Sequence, residues 1–248
     1  MVWRESDDAI GDLLRCDSPR LAGDLDYPQK IDSWWSGCNV PIDSALLGRQ
    51  DLFNMASRAR ESDDLVPLLW HVLAWGAMGD LRNAPTVVRS AEDSVGRSRL
   101  NDILAAAAAA SYRGDIQAAY RAIHRKIKRL GPAFFSKFLY FTGDRDSAYP
   151  RCMILDSRVA EAVITLTGND FLDQKPSVYS QFCGNIRRWA DRYGEEPDLI
   201  EFKLYKFGQL IGSRRWRWLH AEACLYRAGA ASVGFDDIVR EVAGAERR

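Results

Sequence analysis

Chemistry in this chain is concentrated where a basic run meets a turn. From Tyr112 to Lys137 the basic residues are Arg113, Arg121, Arg125, Lys126, Lys128, Arg129 and Lys137, and the only acid is Asp115. The run contains Arg129-Leu130-Gly131-Pro132, a turn between two stretches of helical periodicity. A short hairpin of this kind can hold a phosphate backbone, because loop amides and a helix N-terminus point donors at the anion without reading sequence. Arg125, Lys126, Lys128 and Arg129 supply a positive field that counterion release rewards. A plain αα-hairpin with a solvated basic face carries the same pattern, so the hairpin alone does not decide between the two.

The whole chain gives no such signal. Its 34 basic and 34 acidic residues cancel, so any field for nucleic acid must be local. Acids gather elsewhere, at Glu5, Asp7, Asp8 and Asp12 and again at Glu61, Asp63 and Asp64. With 47% hydrophobic and 27% charged residues over 248 positions, the composition is that of an ordinary globular protein that can bury a sizeable core. No apolar run approaches the ~20 residues of a bilayer span, and the first residues lack a basic segment followed by an apolar one. The expectation is a cytoplasmic protein. Five widely spaced cysteines, without a C-x-x-C pair, argue against a disulfide framework, a zinc site and an iron–sulfur cluster. His71, His124 and His220 are scattered and receive no ligand role, so neither metal nor cofactor is expected.

The elements that must position these groups read as helices. Leu65, Leu68, Leu69, Val72 and Leu73 form one apolar stripe, and Leu100, Ile103, Leu104 and the alanines 105–110 a second segment of high helix propensity. Ile116, Ala119, Tyr120, Ile123, Ile127 and Leu130 predict a third helix that runs to Gly131-Pro132. Phe134, Phe138 and Phe141 start the next, which ends at Gly143. Asp156 is a good N-cap for the helix marked by Val159, Ala160, Val163 and Ile164. Val178 to Tyr193, Pro197 to Ile211, Trp216 to Tyr226 and Phe235 to Val242 complete the pattern. No alternating strand pair is evident, so the fold class is all-α, with two helical lobes around a cleft.

The stretch GPAFFSKFLYFTGDRDSAYPRCMILDSRVAEAV resembles the heart of the helix-hairpin-helix DNA glycosylase superfamily (HhH-GPD), and within it the bacterial OGG-like 8-oxoguanine glycosylases. In that superfamily a hairpin glycine precedes a helix whose early lysine is the nucleophile of bifunctional members, and a loop leads to an aspartate opening the next helix. Lys137 matches the lysine and Asp156 the aspartate, nineteen positions on. The resemblance implies a cleft between one lobe of about residues 60–150 and another that combines 1–59 with 151–248, and it implies that Asp156 stabilises the oxocarbenium-like transition state of base release. It implies that Lys137 attacks C1′ once deprotonated, a state that an apolar wall of Phe134, Phe138 and Phe141 would favour, and that AP lyase activity can follow.

Departures qualify the match. The usual hairpin reads Leu-Pro-Gly-x-Gly with the lysine two residues further, whereas Ala133 and Phe135 occupy the glycine positions here and Gly131 lies six residues before Lys137. Aligning Gly131 with the second glycine would put Ala133 at the lysine position and leave a monofunctional enzyme in which Asp156 activates water. The cluster-binding cysteines of the endonuclease III branch are missing.

Such an enzyme flips its target nucleotide out of the duplex, which requires stacking and wedging groups. Trp34, Trp35 and Phe182 are candidates to close a slot on the base, and Asn39, Asp43, Gln181 and Asn185 to bond polar groups at its edge. Arg214, Arg215 and Arg217, in RRWRW, are candidates for phosphate contact beside Trp216 and Trp218. For any one of these tryptophans, filling the core is the more common role. The expected protein is a monomeric glycosylase acting on double-stranded DNA and excising a modified base, 8-oxoguanine by resemblance, to leave an abasic site. A defence enzyme removing a hypermodified phage base, such as glucosylated hydroxymethylcytosine, and a non-catalytic helix-hairpin-helix DNA-binding module are the alternatives.

Overall fold

The computed structural model describes Leu13 and residues 23–31, 34, 37, 38, 40–42, 44–77, 81–147, 149–168 and 175–212. Within them the chain is helical apart from one short antiparallel pair, β1 (Gln29–Lys30) with β2 (Leu46–Leu47), in the register Gln29 opposite Leu47. Two-residue strands have too little length to show alternation, which is why periodicity misses them. The helices are α1 (Arg49–Ser62), α2 (Val66–Ala77), α3 (Ala84–Arg89), α4 (Ser94–Tyr112), α5 (Ile116–Ile123), α6 (Pro132–Thr142), α7 (Ser157–Thr167), α8 (Pro176–Tyr193) and α9 (Pro197–Ile211).

Local chemistry accounts for their ends. Asp93, Asp115 and Asp156 cap α4, α5 and α7 with their side chains, and Pro197 opens α9 as its pattern predicts. The alanines of α4 keep that helix slim: Ala107, Ala108 and Ala110 are buried against its neighbours. Helix α6 is the centre of the fold, with Phe135, Phe138, Leu139, Tyr140 and Phe141 all buried, and it packs on α1, α2, α4 and α5. Helix α7 packs along α9, and α8 joins this pair to α5. The buried apolar side chains of these elements form one contiguous core.

The structure corrects one element. The helix expected to continue to Leu130 stops at Ile123, where His124 turns extended (φ −59°, ψ 124°) and Arg125 and Arg129 adopt left-handed backbone (φ 60° and 68°). Ile127 and Leu130 are buried all the same, so a loop folded back on the core satisfies the three-residue spacing that reads as a helix. A helical course would set Arg125 against Lys128 and Arg129 at i,i+3 and i,i+4, where like charges repel. The loop instead exposes Arg125, Lys126, Lys128 and Arg129.

Among the described residues no helix is long and apolar enough to cross a membrane. No group of three or more His, Cys, Asp and Glu among them is arranged to hold a metal ion. Cys38, Cys152 and Cys183 are buried free thiols.

Candidate active site

Lys137 belongs to the second turn of α6 and Asp156 is the N-cap of α7. Their side chains meet: Lys137 Nζ lies 3.1 Å from Asp156 Oδ2 and also donates to the Ala133 carbonyl at 2.9 Å. The lysine therefore leaves the basic surface run to which its sequence position assigns it and is buried, with a side-chain exposure of 8% against 14% for the aspartate. Phe134 stands beside the ammonium, its ring centroid 5.8 Å away, whereas Phe138 and Phe141 turn into the core.

Both sides of the pair are built with little freedom. Asp156 Oδ1 accepts from the amides of Arg158 (3.0 Å) and Val159 (3.1 Å), so the carboxylate that caps α7 keeps its other oxygen for the lysine. Burial would raise the Asp156 pKa, but the adjacent Lys137 charge and the two amides outweigh it and hold the carboxyl below its ordinary value. The preceding segment is fixed by Ser136, whose hydroxyl accepts from the Leu155 amide at 3.1 Å, and by Tyr179, whose hydroxyl donates to the Met153 carbonyl at 2.7 Å. Space for the lysine comes from α2, because a Cβ on Gly76 would stand 2.8 Å from Lys137 Cδ. Close approach of α9 to α7 depends on Gly208, where a Cβ would run into the Arg158 carbonyl.

The pair forms part of the wall of a cavity of about 350 Å³. Asp24, Tyr27 and Gln29 stand on one part of its lining, Trp75 and Gly76 from α2 on another, and Glu201, Phe202, Tyr205, Lys206 and Gln209 from α9 on a third. Arg49, the first residue of α1, also lines it and pairs with Glu201 at 2.8 Å. A shaped recess with aromatic faces, a few polar groups and a buried lysine–carboxylate pair can take one flat, polar-edged group and do acid, base or nucleophilic chemistry beside it.

The structure brings together only part of the predicted set. Trp34 is fully buried, with its indole nitrogen donating to the Val40 carbonyl at 3.0 Å, and Phe182 is fully buried beside Tyr179. Neither lines the cavity, and both serve the core, the ordinary destination of large aromatics. Gln181 and Asn185 sit on α8 and do not line it either. Trp35, Asn39, Asp43, Arg214, Arg215, Trp216, Arg217 and Trp218 lie outside the described residues.

The groups that sequence reading overlooks are Arg49, Trp75, Glu201, Phe202 and Tyr205. A signal for Glu201 exists: Asp198 and Glu201 lie three residues apart inside the apolar stretch of α9, where charge has no reason to be buried unless it is paired or used. Asp198 is paired, taking Arg145 at 2.8 Å and Arg151 at 2.7 Å, which ties the loop before Asp156 to α9.

A second feature lies at the N-terminus of α6. Arg125, Lys128 and Arg129 line an open groove of about 580 Å³ together with Gly131, the N-cap of α6. Lys126 is exposed in the same loop. Helix α5 and the basic loop thus lead directly into α6, the helix that carries Lys137.

The family model described as "Putative 8-oxoguanine DNA glycosylase OGG-like protein" matches residues 19–205. Neither the curated proteins nor the solved structures give a match. The matched span holds the basic loop, Lys137, Asp156, Arg49 and Glu201 and makes up most of the chain, and the protein is a member of the OGG-like DNA glycosylase family.

Proposed function

We propose that this protein releases a damaged guanine from double-stranded DNA through Lys137 and Asp156. The observation that carries the proposal is the buried 3.1 Å contact between an amine and a carboxylate on the wall of a base-sized recess. Cleavage of an N-glycosidic bond builds positive charge on the sugar, and a carboxylate kept ionised next to it lowers the barrier. Asp156 is such a carboxylate, since its pKa is held below the ordinary value.

Lys137 supplies the nucleophile. After loss of a proton, its Nζ bonds to C1′ while the C1′–N bond breaks and the electron pair leaves with the base, which takes up a proton. The resulting N,O-acetal opens to a Schiff base as C1′–O4′ breaks and O4′ takes up a proton, and loss of a C2′ proton with departure of the 3′ phosphate gives the AP lyase activity.

Duplex DNA is held by the basic loop, with Arg125, Lys126, Lys128 and Arg129 on phosphates and the amides around Gly131 close to the backbone. The target nucleotide flips into the recess, where Trp75, Phe202 and Tyr205 offer faces for stacking. A volume of about 350 Å³ is near the lower end of the ~300–1,000 Å³ range of ligand sites, which favours a compact base over one carrying a hexose.

The test is a duplex with a single 8-oxoguanine, incubated with the protein and treated with alkali to reveal abasic sites, with borohydride added in a parallel arm. Strand cleavage at the lesion and a trapped covalent adduct are expected. Cleavage of DNA containing glucosylated hydroxymethylcytosine, with none at 8-oxoguanine, would replace the repair reading by the defence reading. Binding without release of either base would leave a DNA-binding module.

A further inference from the structure

Glu201 is 1% exposed, yet it lines the same cavity as Lys137 and Asp156. One carboxylate oxygen, Oε2, takes the Arg49 guanidinium at 2.8 Å, and among the described residues no hydrogen bond is made to Oε1. The arginine is held in turn, donating to the Tyr140 hydroxyl at 3.0 Å and lying over the rings of Trp75, Tyr140 and Phe202 at 5.6, 5.3 and 5.8 Å. If α1 only had to pack on α9, apolar side chains of similar volume would do so without the desolvation cost of two buried charges. Burial in fact pushes the Glu201 carboxyl up to about 7 in spite of Arg49, and the nearby Asp156 charge pushes the same way. A carboxylate kept in this position, with one oxygen uncommitted inside a recess, calls for a ligand that brings donors.

Building on the glycosylase reading above, we propose that Glu201 is the specificity residue of the cavity and selects a guanine-type base, its carboxylate accepting from the N1–H and the 2-amino group of the flipped base. A carboxylate offers only acceptors. Guanine presents two adjacent donors on that edge, whereas adenine and cytosine place a single amino group beside a ring nitrogen whose lone pair the carboxylate repels. Cytosine derivatives substituted at C5 keep the same repelled edge, whatever they carry. Arg49 acts through Glu201 as a positioning residue, orienting the carboxylate from the side that the base does not occupy.

The experiment compares release of 8-oxoguanine with release of 8-oxohypoxanthine, which lacks only the 2-amino group, in otherwise identical duplexes. The unaltered protein should prefer the former by about ten- to a hundredfold in kcat/KM, the worth of a hydrogen bond to a charged group. Glu201→Gln should bring that ratio to within about threefold, even if its overall rate also falls. A merely structural Arg49–Glu201 pair would change the rates on both bases together and leave the ratio alone, which would overturn the proposal. Equal release of the two bases by the unaltered protein would overturn it without any variant and so without reliance on the variant's folding. Release of neither base would instead remove the damaged-guanine reading, a result distinguishable because the selectivity is then never expressed.

Discussion

Ser136 and Leu155, the residues immediately before Lys137 and Asp156, are bonded to each other, the serine hydroxyl accepting from the leucine amide at 3.1 Å. Both are buried, so the bond sets the register of α6 against the segment leading into α7 from inside the protein. Removing it with Ser136→Ala should cost about 1 kcal/mol of stability and leave the Leu155 amide short of a partner. Single-turnover base release should slow by about tenfold, more than DNA binding changes, because the reacting groups lose their alignment.

The proposed mechanism gives Asp156 a charge to supply besides the cap it provides for α7, and substitutions separate the two. Asparagine preserves the helix cap and removes the charge, whereas alanine removes both, so Asp156→Ala should melt at a lower temperature than Asp156→Asn by the equivalent of about 1 kcal/mol. Base release should be lost almost completely in both, with binding to DNA retained. The pH dependence follows from the folded carboxyl lying below the ordinary 3.8. Its stabilisation is fully present above about that pH and disappears as pH falls through the lower folded value, where the carboxyl protonates in both states. Acid titrations of stability should therefore converge for the unaltered protein and Asp156→Asn only at the acid extreme.

Lys137 decides between two mechanisms. Borohydride should trap an adduct with damaged DNA in the unaltered protein and none in Lys137→Gln, as read on a denaturing gel. Abasic sites formed without any adduct would assign base release to water activated by Asp156 and withdraw the Schiff base.

Neutralising Arg125, Lys126 and Lys128 together tests the exposed loop. Affinity should fall on every sequence alike, and the slope of log K against log salt should flatten by about 0.9 for each phosphate that the loop no longer neutralises. An unchanged slope, measured by fluorescence anisotropy, would put the DNA on another face.

Gly76 offers a steric test of the buried lysine. An added methyl would stand 2.8 Å from Lys137 Cδ, so Gly76→Ala should displace the amine and reduce base release by about tenfold or more while circular dichroism stays helical. Activity equal to that of the unaltered protein would mean that Lys137 works from a different position.

Most of the helices, the Asp156 cap and the run of basic residues were legible in the chain because they depend on neighbours a few residues apart. The periodicity of apolar side chains marks α2, α4, α6, α8 and α9, Asp156 announces the start of α7, and Pro197 that of α9. The nineteen-residue interval from Lys137 to Asp156 is likewise a property of one continuous stretch. Where local signals compete, the outcome escapes: Ile127 and Leu130 keep helical spacing but are anchored from a loop, since burial rewards their position and not their backbone.

Folding alone decided which side chains share the cavity. Arg49 and Glu201 are 152 residues apart, and no spacing relates them. Trp34 and Phe182 look as fit to stack on a base as Trp75 and Phe202, and the first two were drawn into the core because the helices around them close over it. A sequence states what a side chain can do, but desolvation and the partners within reach, which set the charge of Glu201 and the seat of Lys137, come into being only when distant segments pack.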